Sequence, residues 1–114
     1  MQYIEDLNPS PFERIFNGTK TIEFRLFKGD WKNMKVGDEV IFTKLPENVE
    51  KIKVQITDIY RKGNFDELFD FIGPSYFSGK QTKEEFINVM SVHYTGEQRE
   101  KYDALGLRII VVES

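Results

Sequence analysis

The chain has 114 residues, 39 % apolar and 31 % charged, with a formal net charge of −3 and no cysteine. That length suits one domain, 1–114, with a single core and no second lobe to close a deep cleft. The lack of cysteine excludes disulfide frameworks and thiolate zinc sites, and the weak negative charge argues against a nonspecific duplex binder, which must neutralise many phosphates.

The first helix signal is Ser10-Pro11-Phe12-Glu13: a capping serine, a proline suited to a first turn, and a glutamate completing a capping box. A short helix is predicted over residues 11–17, with Phe12, Ile15 and Phe16 on one face. Gly18 stands where the helix end needs a left-handed residue. Residues 21–26 then alternate strictly, Ile22, Phe24 and Leu26 against Thr21, Glu23 and Arg25, as a half-buried strand does. Residues 28–37 read as a loop carrying Trp31. The turn Val36-Gly37-Asp38-Glu39 leads into a strand over 39–43, and Pro46-Glu47-Asn48 makes another turn. The longest strand signal covers 51–60, with Ile52, Val54 and Ile56 on one face. Asn64 caps a short helix over about 65–71, stopped by Gly73-Pro74. Thr82-Lys83-Glu84-Glu85 is a second capping box, and the helix it opens carries Phe86, Val89, Met90 and His93 at helical spacing. One or two further turns are expected within 97–105. The apolar run 107–112 reads as a final buried strand. Short strands without regular β–α alternation disfavour a doubly wound sheet. The prediction is an α+β fold: a small β-barrel of short mixed strands with flanking helices.

The chemistry concentrates in Asn17-Gly18-Thr19-Lys20-Thr21-Ile22-Glu23-Phe24-Arg25-Leu26. Glu23 and Arg25 share strand parity, about 7 Å apart along the strand, and the turn at Gly18 aims Lys20 towards the same space. Three charges of mixed sign either stay solvated as a Lys–Glu–Arg ladder, each pair then worth about 0–1 kcal/mol, or line a polar cleft.

This stretch resembles the signature of the ASCH domain family, a Gly-x-Lys-x-x-Glu-x-Arg pattern straight after a short N-terminal helix. Gly18, Lys20, Glu23 and Arg25 fill its four positions. Pro11-Phe12-Glu13, Lys35-Val36-Gly37-Asp38-Glu39-Val40, Asn64-Phe65-Asp66-Glu67-Leu68, Tyr94 and the closing apolar strand are similar to the family's surroundings of that motif. The resemblance implies a PUA-like fold with the motif in a cleft, and a module that binds RNA or a nucleoside-like ligand. Under it Gly18 gives the turn and a close backbone approach, and Lys20 a point charge for phosphate, carboxylate or carbonyl. Glu23 accepts from base amino groups or orients Lys20 and Arg25, and Arg25 makes a forked phosphate contact or stacks on a base. One branch of small ASCH-like proteins resembles amidohydrolases of an acetylated cytidine, with a Lys–Thr–Glu set. Only its lysine carries over, as Lys20, the candidate catalytic residue. Glu23 stands where that branch has threonine, and no later glutamate is found near Phe77 to Gln81.

Trp31, beside Lys28 and Lys32, is the leading candidate for base stacking; Tyr60, Tyr76 and Phe77 are others. His93 is the only histidine, so no metal site and no cofactor are expected, and the glycines form no phosphate-cradling loop. Residues 1–63 hold 11 Lys and Arg against 10 Asp and Glu, and residues 64–114 hold 5 against 9. A small basic cleft therefore belongs to the first half, and an acidic face to the second, which would be the contact surface of a protein-interaction module. No basic region followed by an apolar run opens the chain, and no run approaches the ~20 apolar residues that span a bilayer. A cytoplasmic protein is the expectation.

Overall fold

The segments 21–26, 39–43 and 51–60 do become strands, over 22–26, 39–44 and 51–62, in the computed structural model, which describes residues 1–114. In chain order the elements are β1 (Gln2–Leu7), α1 (Pro9–Phe16), β2 (Ile22–Leu26), a 3-10 turn (Gly29–Asn33), β3 (Glu39–Lys44), β4 (Lys51–Lys62), α2 (Phe65–Ile72), α3 (Pro74–Phe77), α4 (Lys83–His93), α5 (Gly96–Lys101) and β5 (Ala104–Glu113). The strands form one mixed sheet in the order β1-β3-β4-β5-β2. β1 runs parallel to β3, Gln2 opposite Glu39 through Leu7 opposite Lys44. β3 runs antiparallel to β4, Glu39 opposite Gln55 through Thr43 opposite Lys51. The chain divides into two compact units: Met1–Glu23, Asn33–Ile59 and Leu107–Ser114 form the first, Phe24–Lys32 and Tyr60–Gly106 the second.

The first unit has an aliphatic core. Leu7, Phe12, Ile15, Ile22, Val40, Phe42, Ile52, Val54, Ile56, Leu107 and Ile109 are all buried, so the one-face apolar sets of β2 and β4 face inwards as their period requires. β1 is an unexpected strand, with only Leu7 buried. A polar clasp accompanies its pairing. The buried Thr43 hydroxyl donates to Asp6 Oδ1 at 3.0 Å, and Asn48 Nδ2 donates to Asp6 Oδ1 at 2.7 Å and to Thr43 Oγ1 at 2.6 Å. Asn48 reaches them with φ of 60°, a conformation asparagine tolerates better than most residues.

Helix α1 starts two residues earlier than predicted, at Pro9. Pro9 takes the first helical position after Asn8, so Ser10 lies inside the helix and caps nothing; the fixed φ of proline suits that place. Glu13 bonds Lys44 Nζ instead of closing a box. Phe12 and Ile15 are buried, but Phe16 is half exposed at the helix end.

The second unit has an aromatic core. Phe69 stacks on Phe77 with centroids 4.2 Å apart, Phe24 meets Phe86 edge-on at 4.8 Å, and Phe77 and Phe65 reach Phe86 at 5.1 and 5.9 Å. Such pairs add about 0.5–1.5 kcal/mol each beyond area burial. The Asn64 cap and the Thr82–Glu85 capping box form as predicted. Phe86 and Met90 turn inwards, while Val89 is exposed and so is His93. One short helix, α3, started by Pro74, interrupts an expected loop, and the turns expected within 97–105 form as α5, held by a Thr95–Gln98 capping box. The last strand is only partly buried, because Ile110, Val111 and Val112 are exposed. No helix is long and apolar enough to cross a membrane.

Candidate functional site

Position 18 must turn the chain sharply from α1 towards β2. Gly18 does so with φ of +82°, a region that L side chains rarely adopt. A Cβ at this position would meet nothing within 4 Å, so the glycine is required by the turn rather than by a close approach of protein atoms. The turn is tied back onto α1. Gly18 N donates to Ile15 O at 3.1 Å and Lys20 N to Arg14 O at 2.9 Å. Thr19 donates from its N–H and its hydroxyl to Asn17 Oδ1, at 3.0 and 2.7 Å.

That anchoring lets the Lys20 side chain reach forward over the start of β2. Its Nζ donates to Ile22 O at 2.9 Å and pairs with Glu23 Oε1 at 3.0 Å. The side chains are 11 % and 6 % exposed. The solvated ladder is therefore excluded for this pair: strand parity alone would put Glu23 on the wet face, yet it is the one buried charged residue. A pair this dry survives only because each charge has its partner, and no buried side-chain nitrogen or oxygen lacks one.

Beside the pair runs a groove of about 330 Å³, lined by Gly18, Lys20 and Thr21 on one side, and by Ile109, Ile110 and Val111 on another. Its volume falls at the lower end of the range for small-molecule sites, ~300–1,000 Å³. Its wall is apolar except at the lysine and the turn. Thr21 lines it with Lys20 although ideal alternation separates them, because Lys20 precedes the first strand residue and escapes the parity rule.

Arg25 and Trp31 belong to the second unit. The guanidinium carbon lies 4.6 Å from the Trp31 ring centre, a cation–π stack. Trp31 sits in the 3-10 turn and is buried, 9 % exposed. The structure thus gives this ring a protein cation to hold. Among the other stacking candidates, Phe77 is corrected outright: it is 3 % exposed and lies within the Phe24, Phe69, Phe86 cluster, so no ring face is left for a base. Tyr76 is half-buried, edge-on to Phe24 and Phe77, with Lys80 Nζ 4.2 Å from its ring centre. Tyr60 packs against Phe71 at 5.7 Å. His93 contacts Tyr94 at the exposed end of α4. No group of three or more His, Cys, Asp or Glu is placed to hold a metal ion.

Sequence reading missed one assembly. The aromatic–basic dipeptides Phe27-Lys28, Tyr60-Arg61 and Lys101-Tyr102 come from three separate segments of the second unit. Arg61 lies 3.6 Å from the Phe27 ring centre, and Lys28 and Lys101 each lie 5.4 Å from that of Tyr102. The repeated dipeptide was the available signal.

The model of the ASCH domain matches residues 6–113. Among solved structures, the crystal structure of the hypothetical protein PH0355 is similar over 98 % of this chain and 100 % of its own, with 26 % identity and a TM-score of 0.83. The solution structure of protein PF0455 from Pyrococcus furiosus is similar over 100 % of both chains, at 26 % identity and a TM-score of 0.75. The crystal structure of an ASCH domain from Lactobacillus crispatus shares the fold, at 14 % identity and a TM-score of 0.65, over 99 % of this chain and 80 % of that one. No curated protein matches the sequence. The α+β, PUA-like, barrel-like fold expected from the sequence is the fold found.

Proposed function

This chain belongs to the ASCH domain family, and from that premise we propose that it is a binding module for RNA or a nucleoside-like ligand. PUA-like domains of this kind are often proposed to bind RNA. The observation that carries the proposal is the dry Lys20–Glu23 pair at the side of an open groove. A lysine held by an acceptor on its own strand and by a buried carboxylate is pre-set in position, so little side-chain entropy is lost when a ligand arrives. In this reading Lys20 meets a phosphate or carbonyl at the groove, Gly18 leaves the backbone open beside it, and the apolar wall takes a sugar or base face. Glu23 orients Lys20. Within the second unit Arg25, stacked on Trp31, supplies a cation of its own for phosphate, and Trp31 acts by holding it.

The second reading, a small hydrolase acting on an acylated nucleoside, draws on one observation, that Thr21 and Lys20 line the same groove. Against it, the lysine ammonium is already donating to Ile22 O and Glu23, which is the geometry of an anchored cation rather than of a base.

The test is a thermal-shift screen of the purified protein against nucleosides, acylated cytidines, nucleotides and short single-stranded RNAs, with each hit checked for product by mass spectrometry. Binding raises the unfolding midpoint by an amount set by ligand concentration over Kd. The expected result is a shift for a nucleotide or RNA, without product, that disappears in Lys20→Met/Glu23→Gln and shrinks in Arg25→Ala. A shift that survives both variants would refute the assignment, and product formed by wild type but not by the Lys20 variant would establish the hydrolase.

A further inference from the structure

We propose that the strip formed by Phe27, Lys28, Arg61, Lys101 and Tyr102 is a second contact surface for single-stranded RNA, taking its phosphates on the cations and a base against the half-buried Tyr102 ring. The proposal rests on the reading that the ligand is RNA or a piece of it, and gives the second unit a contact surface of its own for a strand.

Three observations carry it. The first is the state of Arg61. Its Nε donates to Asp103 Oδ2 at 2.8 Å and its plane lies over Phe27, whose own backbone N–H donates to Asp103 O at 2.8 Å. The side chain is still 51 % exposed. The guanidinium is thus fixed through one nitrogen and one face, and its two terminal nitrogens make no bond to protein, which is the arrangement a forked phosphate contact needs.

The second is the convergence of two further cations on one ring. Lys28 Nζ and Lys101 Nζ both stand 5.4 Å from the centre of Tyr102. Neither forms an ion pair, and Asp103, next in the chain, is taken by Arg61. Like charges gathered without a counter-charge repel one another, and a polyanion relieves that repulsion. The third is composition. Aromatic and basic side chains pair with one another here, Arg61 with Phe27 and Lys28 and Lys101 with Tyr102, the composition of surfaces that bind single strands by stacking and backbone attraction without reading sequence. The chain's overall charge of −3 makes this local surplus a place of selective attraction rather than part of a general basic coat.

The experiment measures fluorescence anisotropy of labelled uridine monophosphate and of a labelled oligouridylate of about 12 nucleotides, within the ~4–16 typical of such grooves. Wild type is compared with Lys28→Gln/Arg61→Gln/Lys101→Gln, with the charge-keeping Lys28→Arg/Lys101→Arg, with Tyr102→Leu, and with Lys20→Met/Glu23→Gln. Unfolding midpoints check that each variant is folded. The expected result is an oligonucleotide bound at least about tenfold more tightly than the monophosphate, with log affinity falling against log salt at a slope near −2, about −0.7 for each of three phosphates. The triple glutamine variant should lose that gain and flatten the slope while binding the monophosphate unchanged. The arginine variant should keep the gain, and Tyr102→Leu should reduce it several-fold. Equal affinity for monomer and oligomer, or an oligomer affinity unmoved by the triple variant, would overturn the strip and leave the cleft reading standing, provided the monophosphate is lost in the Lys20/Glu23 variant. Equal displacement of the oligomer by an aromatic-free polyanion such as heparin, with no effect of Tyr102→Leu, would overturn the RNA assignment of the strip. Binding of neither probe would overturn both readings together.

Discussion

At the scale of the residue, the Lys20–Glu23 pair decides how any mutation of this site must be read. Two charges with side chains only 11 % and 6 % exposed are costly to desolvate and depend on one another. Removing one partner of such a pair commonly costs about 3–5 kcal/mol, whereas replacing both by apolar groups is often neutral. Lys20→Met and Glu23→Leu should each lower stability by about that amount, and the double variant should be more stable than either single one. Urea unfolding of the four proteins of the cycle measures the coupling, and strictly additive effects would show that the pair is not interdependent. The same reasoning explains the choice of a paired variant for ligand binding, since a lone Lys20→Ala loses affinity by unfolding as readily as by losing a contact. The partnering itself was not legible in the sequence. Alternation puts Glu23 opposite Ile22 and Phe24 and therefore in solvent, and only the turn held by Gly18, Asn17 and Arg14 O brings the lysine back over it.

At the scale of the element, the legible segments were those whose signal is local. β2 and β4 follow from strict alternation, α2 from Asn64 and Gly73, and α4 from its capping box, all of which act within a few residues. The elements not seen depend on partners elsewhere. β1 has one buried residue and is a strand because β3 pairs with it and Thr43 and Asn48 hold Asp6. α5 buries nothing; the turns expected over 97–105 form there, and the Thr95–Gln98 box sets their start at Gly96. The end of β5 is as apolar as a central strand but lies half exposed at the groove, so composition alone overstated its burial. In α4, where the cap is seen directly, Thr82→Ala should cost about 1 kcal/mol by freeing the Glu85 N–H. Phe86→Ala, at the centre of the aromatic cluster, should cost about 3–5 kcal/mol. Chemical denaturation of both variants checks this order, and a cap variant as damaging as the core variant would mean that α4 is held by its terminus rather than by its buried face.

At the scale of the whole molecule, stability should be bounded by two charged anchors, one on each side of neutral pH. Asp38 accepts from Lys35 N at 2.9 Å and pairs with the N-terminal ammonium at 3.1 Å, and those contacts, the backbone donor first, hold its carboxyl below the ordinary range. Its contribution is fully present above the unfolded value of about 3.9 and is lost as pH falls through the lower folded value. Lys44 is the opposite case. Its bond to Glu13, with Glu50 beyond at 3.5 Å, raises its value. That contribution is fully present below the unfolded value of about 10.4 and is lost as pH rises through the higher folded one. Both anchors sit on the first unit, one at the turn into β3 and the other at its end, so β3 is held electrostatically at both termini. Thermal unfolding across pH should therefore show a broad plateau. Asp38→Asn should lower it and flatten the fall on the acid side, leaving the alkaline limb in place, and Lys44→Met should do the converse. Because both groups lie near the surface, added salt should shrink each effect. An acid limb that keeps its full slope in Asp38→Asn would assign acid unfolding to other carboxylates, with the buried Glu23 the next to test.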